Sequence, residues 1–570
     1  MKMKSKKSAT DPFSSEKVKW EETTVKKSLS RHPELKERFR SGSGEIEIHR
    51  LYTPLDLKGM DFPAEVGFPG QFPFTRGIDP SGMRAREWTQ FYYTGFGSGD
   101  NANERLHALM KAGGNHLQIA LDLPTQIGLD SDHPMAEREV GKVGVAIDTL
   151  EDLVRLFRGI PLENISIGTV GNCIGPWAIS MFCALAEHNG IPLEKIRGKI
   201  QNDPFKEYTG RGTYIFPVDV AVDLASDTVL YCLQNLPKFA DLQWACTTTI
   251  RWGGGTASHE IGFGIANLIT YIEAALKKGA RLEQVVPTMN LHATADNDLF
   301  EEVSKFRAMR RLWAKIAKER FKTDDPRVLG LKITVFTNGT RLTSIEPMNN
   351  IIRSTIQVLA CILGGVQWIT VPAHDEALAL PTFESTRLAA LTKNILTHEN
   401  LVGNTVDPLG GSFYVETLTN KLEEEGRKWY ERVESFGGAV KAIESGFYLD
   451  QMAKGMHQYQ REIESGERIV IGVNKYALEG EEIPIHLFKP DPRTEERQIQ
   501  RLREVKSRRN NQKVEKCLGL VKETAEKKAS GKNINIIPSI LSAVKEYATI
   551  GEIFGLLREV FGEYQPPRTF

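Results

Sequence analysis

The feature that most constrains this 570-residue chain is a rhythm in its middle: apolar, strand-like runs that turn polar or glycine-rich at their ends and are followed by amphipathic helical stretches. The runs are "HLQIALDLPTQIG", "NISIGTVGNC", "GKIQNDP", "DLQWACTTTIRWGGG", "QVVPTMNLHATADND", "LKITVFTNG" and "VQWITVPAHDE". Between several of them lie "TLEDLVRLFRGI", "GIANLITYIEAALKKG" and "EEVSKFRAMRRLWAKIAKERF", whose apolar spacing suits helices packed on a sheet. Repeated strand, loop and helix predict a parallel sheet covered by helices, with ligand-facing loops at the polar strand ends. A further strand expected near "AEVGFPGQF" brings the count close to eight, so the chain is assigned to the α/β class, with a (β/α)8 TIM barrel over 45–400. No G-x-G-x-x-G follows the first strand, which argues against an open dinucleotide-binding sheet.

The flanks read differently. Residues 1–44 are polar and helical in pattern, either an arm contacting a partner or a frayed tail. Residues 401–570 are mainly helical, interrupted by a strand-like "ERIVIGVNKY" and followed by a highly charged stretch that reads as solvated helix. Lys plus Arg and Asp plus Glu both number 73, so no net field favours nucleic acid or an acidic membrane surface. The six cysteines are scattered without a C-x-x-C pair, as expected of buried thiols in a reducing cytoplasm. No segment offers the roughly 18 uncharged apolar residues of a membrane span, so a cytoplasmic, soluble protein is expected.

Several clusters are candidates for chemistry. The acids of "DLPTQIGLDSD" (122–132) suit a hard cation or, more simply, caps and loop bonds. "HDE" (374–376) offers an acid, a base or a hydrogen-bond acceptor at a strand end, or a helix N-terminal cluster. His259 and His292 lack the further donors that zinc requires. "RWGGGTASHE" (251–260) is either a phosphate cradle or a tight strand-to-helix turn, without the Walker lysine. Arg211 stands between two glycines just past a strand ending in Gln201 and Asp203. There it serves either as a fork for a ligand carboxylate or as half of a salt bridge.

Taken together, "FPFTRGIDPSGMRAREWTQFYYTGFGSGDNANERLHALMKAG", "LDSDHP", "GVAIDTLEDLVRLFRGIPLE", "IQNDPFKEYTGRGTYIFP", "RAMRRLWAKI", "EPMNNIIRSTIQ", "DEALALPTFESTRLA", "DPLGGSFYVE" and "IVIGVNKY" resemble the methylmalonyl-CoA mutase family, in order and over nearly the whole chain. The resemblance implies an isomerase that rearranges the carbon skeleton of an acyl-CoA by adenosylcobalamin-dependent radical chemistry. It implies a TIM barrel with the acyl-CoA threaded along its axis and the corrinoid over one mouth. By motif, Tyr93 matches a tyrosine against the corrin and substrate, Arg211 a carboxylate clamp, Gln201 a pocket glutamine, and Glu376 an acid near the adenosyl ribose. Leu121 falls with the cofactor contacts, and Ser81, Arg86, Thr89 and Gln118 with the CoA contacts.

Three departures qualify the likeness. The family's Gly-Tyr-His segment is replaced by "ACTTTIRWGGG", so its histidine is missing. Thr247, Thr248 or Thr249 stands in its place, with Thr248 and Thr249 the candidate donors to the thioester carbonyl. Expected CoA contacts are also replaced, by Asp79, Gln118, Thr288 and Phe336. In addition, none of the 12 histidines lies in the Asp-x-His-x-x-Gly motif of the corrinoid-binding domain. The resemblance therefore implies a large subunit paired with a small cobalamin-binding subunit that supplies the lower ligand, in a heterodimer or heterotetramer. The alternatives are a mutase for another branched, hydroxylated or long-chain acyl-CoA, and a non-catalytic member supporting a partner complex.

Overall fold

A computed structural model of the chain describes residues 12–34, 36–85, 92–111, 116–478, 487 and 491–567. Arg86 and Thr89 lie outside the described residues, as does the side chain of Tyr93. Eight strands run in chain order: β1 Tyr92–Thr94, β2 His116–Ile119, β3 Ser166–Val170, β4 Arg197–Gln201, β5 Gln243–Cys246, β6 Met289–Ala295, β7 Ile333–Thr337 and β8 Trp368–Thr370. Each pairs in parallel with the next in two arcs, β1 to β4 and β5 to β8. The arcs meet where the lead into β5 runs beside β4: Ile200 N–H donates to Asp241 O (3.1 Å) and Ala240 N–H to Gly198 O (3.0 Å). Together they form the (β/α)8 barrel.

Side-chain parity follows the same plan. Leu117, Ile119, Ile167 and Ile200 face outward into a core shared with the helix Gly175–His188 and the C-terminal helices Ile537–Lys545 and Ile550–Phe561. Ala245, Leu291, Ile333, Val335 and Ile369 face a second core beneath the helices Ala257–Lys277, Leu299–Phe321 and Phe413–Ser435. The alternate positions meet across the axis. Lys199 on β4 reaches Trp368 on β8, with Nζ 4.1 Å from the ring centroid, and lies 5.8 Å from the Trp244 ring on β5. His116 on β2 stacks obliquely on Trp368 at 6.4 Å. Contact between such distant strands is what a closed barrel with a filled interior produces.

Two expected strands are absent. "AEVGFPGQF" holds the end of the helical turn Phe62–Glu65, capped by Asp61, and then bends through glycines; the first strand is Tyr92–Thr94 instead. "ERIVIGVNKY" is a turn with one isolated bridge, Ile471 to Lys475, because among the described residues no strand lies alongside to complete a ladder. The charged stretch near the C-terminus forms the helices Thr494–Arg508 and Asn511–Ala529, each with one buried stripe, among them Leu502, Val505, Val514 and Val521. Ahead of the barrel, Gly42 N–H donates to Asp298 (2.7 Å) and Glu45 accepts from Ser258 N–H (3.1 Å), which ties 41–45 to two barrel helices.

Candidate active site

The C-terminal ends of β4 and β5 build one side of a polar cup. Gln201 closes β4, is 5% exposed, and donates from Nε2 to Cys246 Sγ at the end of β5 (3.1 Å). Below it Asp203 accepts from Cys246 N–H and from the Tyr271 hydroxyl. Burial lifts the Asp203 carboxyl to about 6 and holds the Cys246 thiol well above its ordinary range, so this cysteine is no nucleophile.

Arg211 ends the wide helical turn Glu207–Arg211 that follows β4. The turn is tethered at its start, where the Glu207 carboxylate accepts from Asn172 Nδ2 and the Thr213 hydroxyl. It is terminated by Gly212, whose φ of 82° is left-handed backbone that glycine adopts without cost. A methyl on Gly210 would stand 3.0 Å from Thr249 Cβ, so the arginine turn and the threonine segment are packed together. Arg211 is half-buried and makes no ion pair or hydrogen bond with any described residue, so the salt-bridge alternative has no partner here.

The three threonines have different surroundings. The Thr247 hydroxyl donates to Glu260 Oε1 (2.9 Å) and approaches His292 O, which fixes the strand end. Thr248 and Thr249 open the short helix Thr248–Trp252 and are 1% and 6% exposed. Thr249 Oγ1 is buried without a hydrogen-bond partner. A buried hydroxyl without a partner is costly, and this one lies on the segment packed against the Arg211 turn.

The glycine run after this segment is a packed turn, not a phosphate cradle. A methyl on Gly254, whose φ is 105°, would meet Met456 N at 2.3 Å in the helix Phe447–Glu464. Arg251 from the same segment turns inward to Glu302 (2.9 Å) and Asp296 (3.6 Å), while Lys305 bridges Glu260 (2.6 Å) and Glu302. His259 caps the next helix: its Nδ1 accepts from Thr256 N–H (3.1 Å) while the Thr256 hydroxyl accepts from His259 N–H (3.3 Å). Such a reciprocal cap stabilises by about 1 kcal/mol. His292 shares a hydrogen bond from Nδ1 with the Thr334 hydroxyl (2.8 Å) inside the barrel. Burial holds both imidazoles neutral, at about 3, and among the described residues no cluster suited to a metal ion occurs. The acids of 122–132 serve loops and caps: Asp122 accepts from Thr125 and Gly141 N–H, and Asp130 from Gly551 N–H and the Thr549 hydroxyl.

The remaining candidates spread along the barrel. Glu376 lies past β8 on the same C-terminal side, exposed to the mouth yet crowded by protein. Desolvation, with Asp375 adding like charge, lifts its carboxyl to about 7. A carbon-13 carboxyl titration of Glu376 should therefore show a midpoint near 7, falling when Asp375→Asn removes the neighbouring charge; an unchanged midpoint in that variant contradicts the coupling. Tyr93 is paired in register with Gln118, whose Oε1 is buried inside the barrel without a partner. The Leu121 side chain, 3% exposed, packs in the outer core and not with the cup. Ser81 is exposed on a turn at the opposite end. Beside that turn opens a cavity of about 550 Å³ lined by Asp79, Met83, Asp241, Lys332, Gln367 and Trp368. It lies below the N-terminal ends of β5, β7 and β8, and the Lys199–Trp368 contact separates it from the cup. The axis along which the resemblance implies that the acyl-CoA is threaded is thus crossed by side chains.

The methylmalonyl-CoA mutase family model matches residues 41–563. The chain is 36% identical to the 2-hydroxyisobutanoyl-CoA mutase large subunit of Aquincola tertiaricarbonis, over 98% of both chains. It is 35% identical to methylmalonyl-CoA mutase of Rhizobium meliloti, over 91% of this chain and 72% of that protein. It is likewise 35% identical to the human mitochondrial methylmalonyl-CoA mutase, over 91% of this chain and 68% of the relative. With the barrel, the cup at the ends of β4 and β5 and this similarity along its length, the chain belongs to the methylmalonyl-CoA mutase family of isomerases.

Proposed function

We propose that the chain is the catalytic large subunit of an adenosylcobalamin-dependent mutase that rearranges a carboxylate-bearing acyl-CoA of the succinyl or methylmalonyl kind. The observation that carries this reading is the Arg211 guanidinium, held beside the cup with no partner among the described residues. A planar fork of donors is matched by the two oxygens of a carboxylate. Arg211 clamps the free carboxylate, Thr249 Oγ1 offers a hydrogen bond to an acyl oxygen, and Gln201 walls the side nearest β5.

Glu376, carrying a proton through part of the neutral range, is suited to hydrogen-bond ribose hydroxyls at the mouth. This fits the adenosyl end of the cofactor, which when bound supplies the hydrogen-abstracting radical chemistry. A small cobalamin-binding subunit supplies the lower ligand; the name "large subunit" of one relative supports such a partner. The buried free cysteines fit a cytoplasmic setting, and no helix among the described residues is long and apolar enough to cross a membrane.

A second reading, a mutase for a hydroxylated branched acyl-CoA, is favoured by the name of the relative that matches over 98% of both chains. The two are separated by supplying the chain, its small subunit and adenosylcobalamin with succinyl-CoA or 2-hydroxyisobutanoyl-CoA and comparing kcat/KM. Preference for succinyl-CoA is expected. Preference for the hydroxyacyl thioester replaces the first reading with the second, and no turnover of either, with complex and bound cofactor verified, favours a non-catalytic role.

In this reading CoA lies along the axis, so the cation–π contact of Lys199 with Trp368, worth about 0.5–2 kcal/mol, must part on binding. Saturating CoA should change the tryptophan emission of the chain, and most of the change should vanish in Trp368→Phe. Unaltered emission with CoA bound contradicts passage along the axis.

A further inference from the structure

Lys206 is a second cation of the cup that the clamp reading leaves unused. It ends the short helix Pro204–Lys206, five residues beyond Gln201, and is 8% exposed. Its ammonium makes one hydrogen bond among the described residues, a long one of 3.4 Å to Gln201 Oε1. The acids nearest in sequence are engaged elsewhere, Asp203 by Tyr271 and Cys246, Glu207 by Asn172 and Thr213. An ammonium has three donors, so two N–H groups of this buried lysine lack acceptors among the described residues.

Three donors past β4 and β5 thus lack a full set of acceptors among the described residues: the Lys206 ammonium beside Gln201, the Arg211 guanidinium on the turn that follows, and the Thr249 hydroxyl, whose side chain packs against that turn at Gly210. Lys206 and Thr249 are buried donors, and together with the half-exposed Arg211 fork they suit a ligand with more than one acceptor group. Their shapes differ. The Arg211 fork suits two oxygens of a carboxylate, whereas an ammonium is a point charge suited to a single oxygen. Their depths differ too, with Arg211 half-exposed on its turn and Lys206 buried beside the last residue of β4, on the barrel side of the cup.

Resting on the acyl-CoA reading above, we propose that Lys206 contacts the substrate and donates a hydrogen bond to its thioester carbonyl, while Arg211 holds the free carboxylate. Thr249 supplies a second, neutral donor to the same region. The lysine provides the positive charge that a threonine hydroxyl lacks, aimed where negative charge gathers on the carbonyl oxygen as the thioester group moves. The acyl chain is thereby spanned between two cations, which sets the separation of carbonyl and carboxylate that the cup accepts.

Calorimetric titration of the full chain with butanoyl-CoA and with its thioether analogue S-butyl-CoA, which lacks the carbonyl, tests this without turnover. Wild type should bind the thioester about 10- to 100-fold more tightly than the thioether, the range for a hydrogen bond from a charged group. Lys206→Met should remove most of that difference by weakening thioester binding alone, leaving the share of the neutral Thr249 donor; Lys206→Arg should restore part of it, and the preference for succinyl-CoA over butanoyl-CoA should persist through Arg211. Equal loss on both ligands, or no loss, overturns the role of Lys206 and leaves the acyl-CoA reading standing. Wild type that binds neither CoA overturns both. If Lys206→Met fails to fold by circular dichroism, Lys206→Gln gives the same comparison.

Discussion

Replacing Arg211 by alanine is expected to lower kcat/KM for a dicarboxylic acyl-CoA by about 30- to 1000-fold, the equivalent of about 2–4 kcal/mol for leaving a desolvated carboxylate unpaired. The effect should be selective. The guanidinium has no described protein partner, so its removal frees no buried carboxylate within the fold. The turn that carries it is held by Glu207, Asn172 and Thr213, which the substitution leaves in place. Unfolding midpoint and butanoyl-CoA affinity should therefore stay near wild type while succinyl-CoA affinity collapses. Arg211→Lys should recover charge but not the bidentate geometry, and with it only part of the loss. Equal losses for mono- and dicarboxylic thioesters would remove the clamp.

The second large effect concerns stability. Lys305 is fully buried, and its ammonium donates to Glu260 Oε2 (2.6 Å), Thr294 O (2.6 Å) and Glu302. The same carboxylates and Asp296 surround Arg251, so the threonine segment is anchored to this network through one end of its own short helix. Lys305→Met leaves Glu260 and Glu302 facing each other with one cation fewer, at a cost of about 3–5 kcal/mol. Denaturant unfolding should show the loss, and adding Glu302→Gln should return a good part of it.

The pH dependence of that loss has a definite sign. Burial raises the Glu302 carboxyl above its ordinary value already in the wild type, with Lys305 opposing the shift. A carboxyl raised on folding contributes stability at low pH that is lost as pH rises through its folded value. Without Lys305 that value rises further, so the deficit of the variant should be greatest near neutrality and shrink in acid. A deficit independent of pH would mean that packing, not charge, is what Lys305 supplies.

Much of the barrel is legible in the sequence because its strands are short apolar runs that stop at polar residues. "GKIQNDP" and "DLQWAC" can be placed without coordinates, since outward Ile200 and Ala245 alternate with inward Lys199, Gln201, Trp244 and Cys246. The first strand escapes that logic: Tyr92–Thr94 is three residues long, too short for a period to show, while the more apolar "AEVGFPGQF" is bent by its glycines. "IVIGVNKY" has strand composition but no neighbouring strand among the described residues, and composition does not reveal pairing.

Within the site, the residues alone single out Arg211, set between two glycines past β4, while Gln201, the last residue of β4, is singled out through the family resemblance. The division of labour among Thr247, Thr248 and Thr249 is not readable, because it depends on Glu260 and on His292, distant in sequence, capturing the first of them. The filled axis is equally hidden: Lys199 and Trp368 lie 169 residues apart and meet only after the barrel closes. Lys206 leaves a signal in "QNDPFKEY", a lysine one turn beyond Gln201, but its shortage of acceptors becomes visible only when Asp203 and Glu207 are seen bonded elsewhere.

The most direct test of the account is carbon-13 NMR of singly labelled succinyl-CoA incubated with the chain, its small cobalamin-binding subunit and adenosylcobalamin. The account predicts a new resonance from a branched, methyl-bearing dicarboxylic acyl-CoA, absent when either subunit or the cofactor is left out. A spectrum that keeps only the linear succinyl signals, with the complex assembled and the cofactor bound, would contradict it.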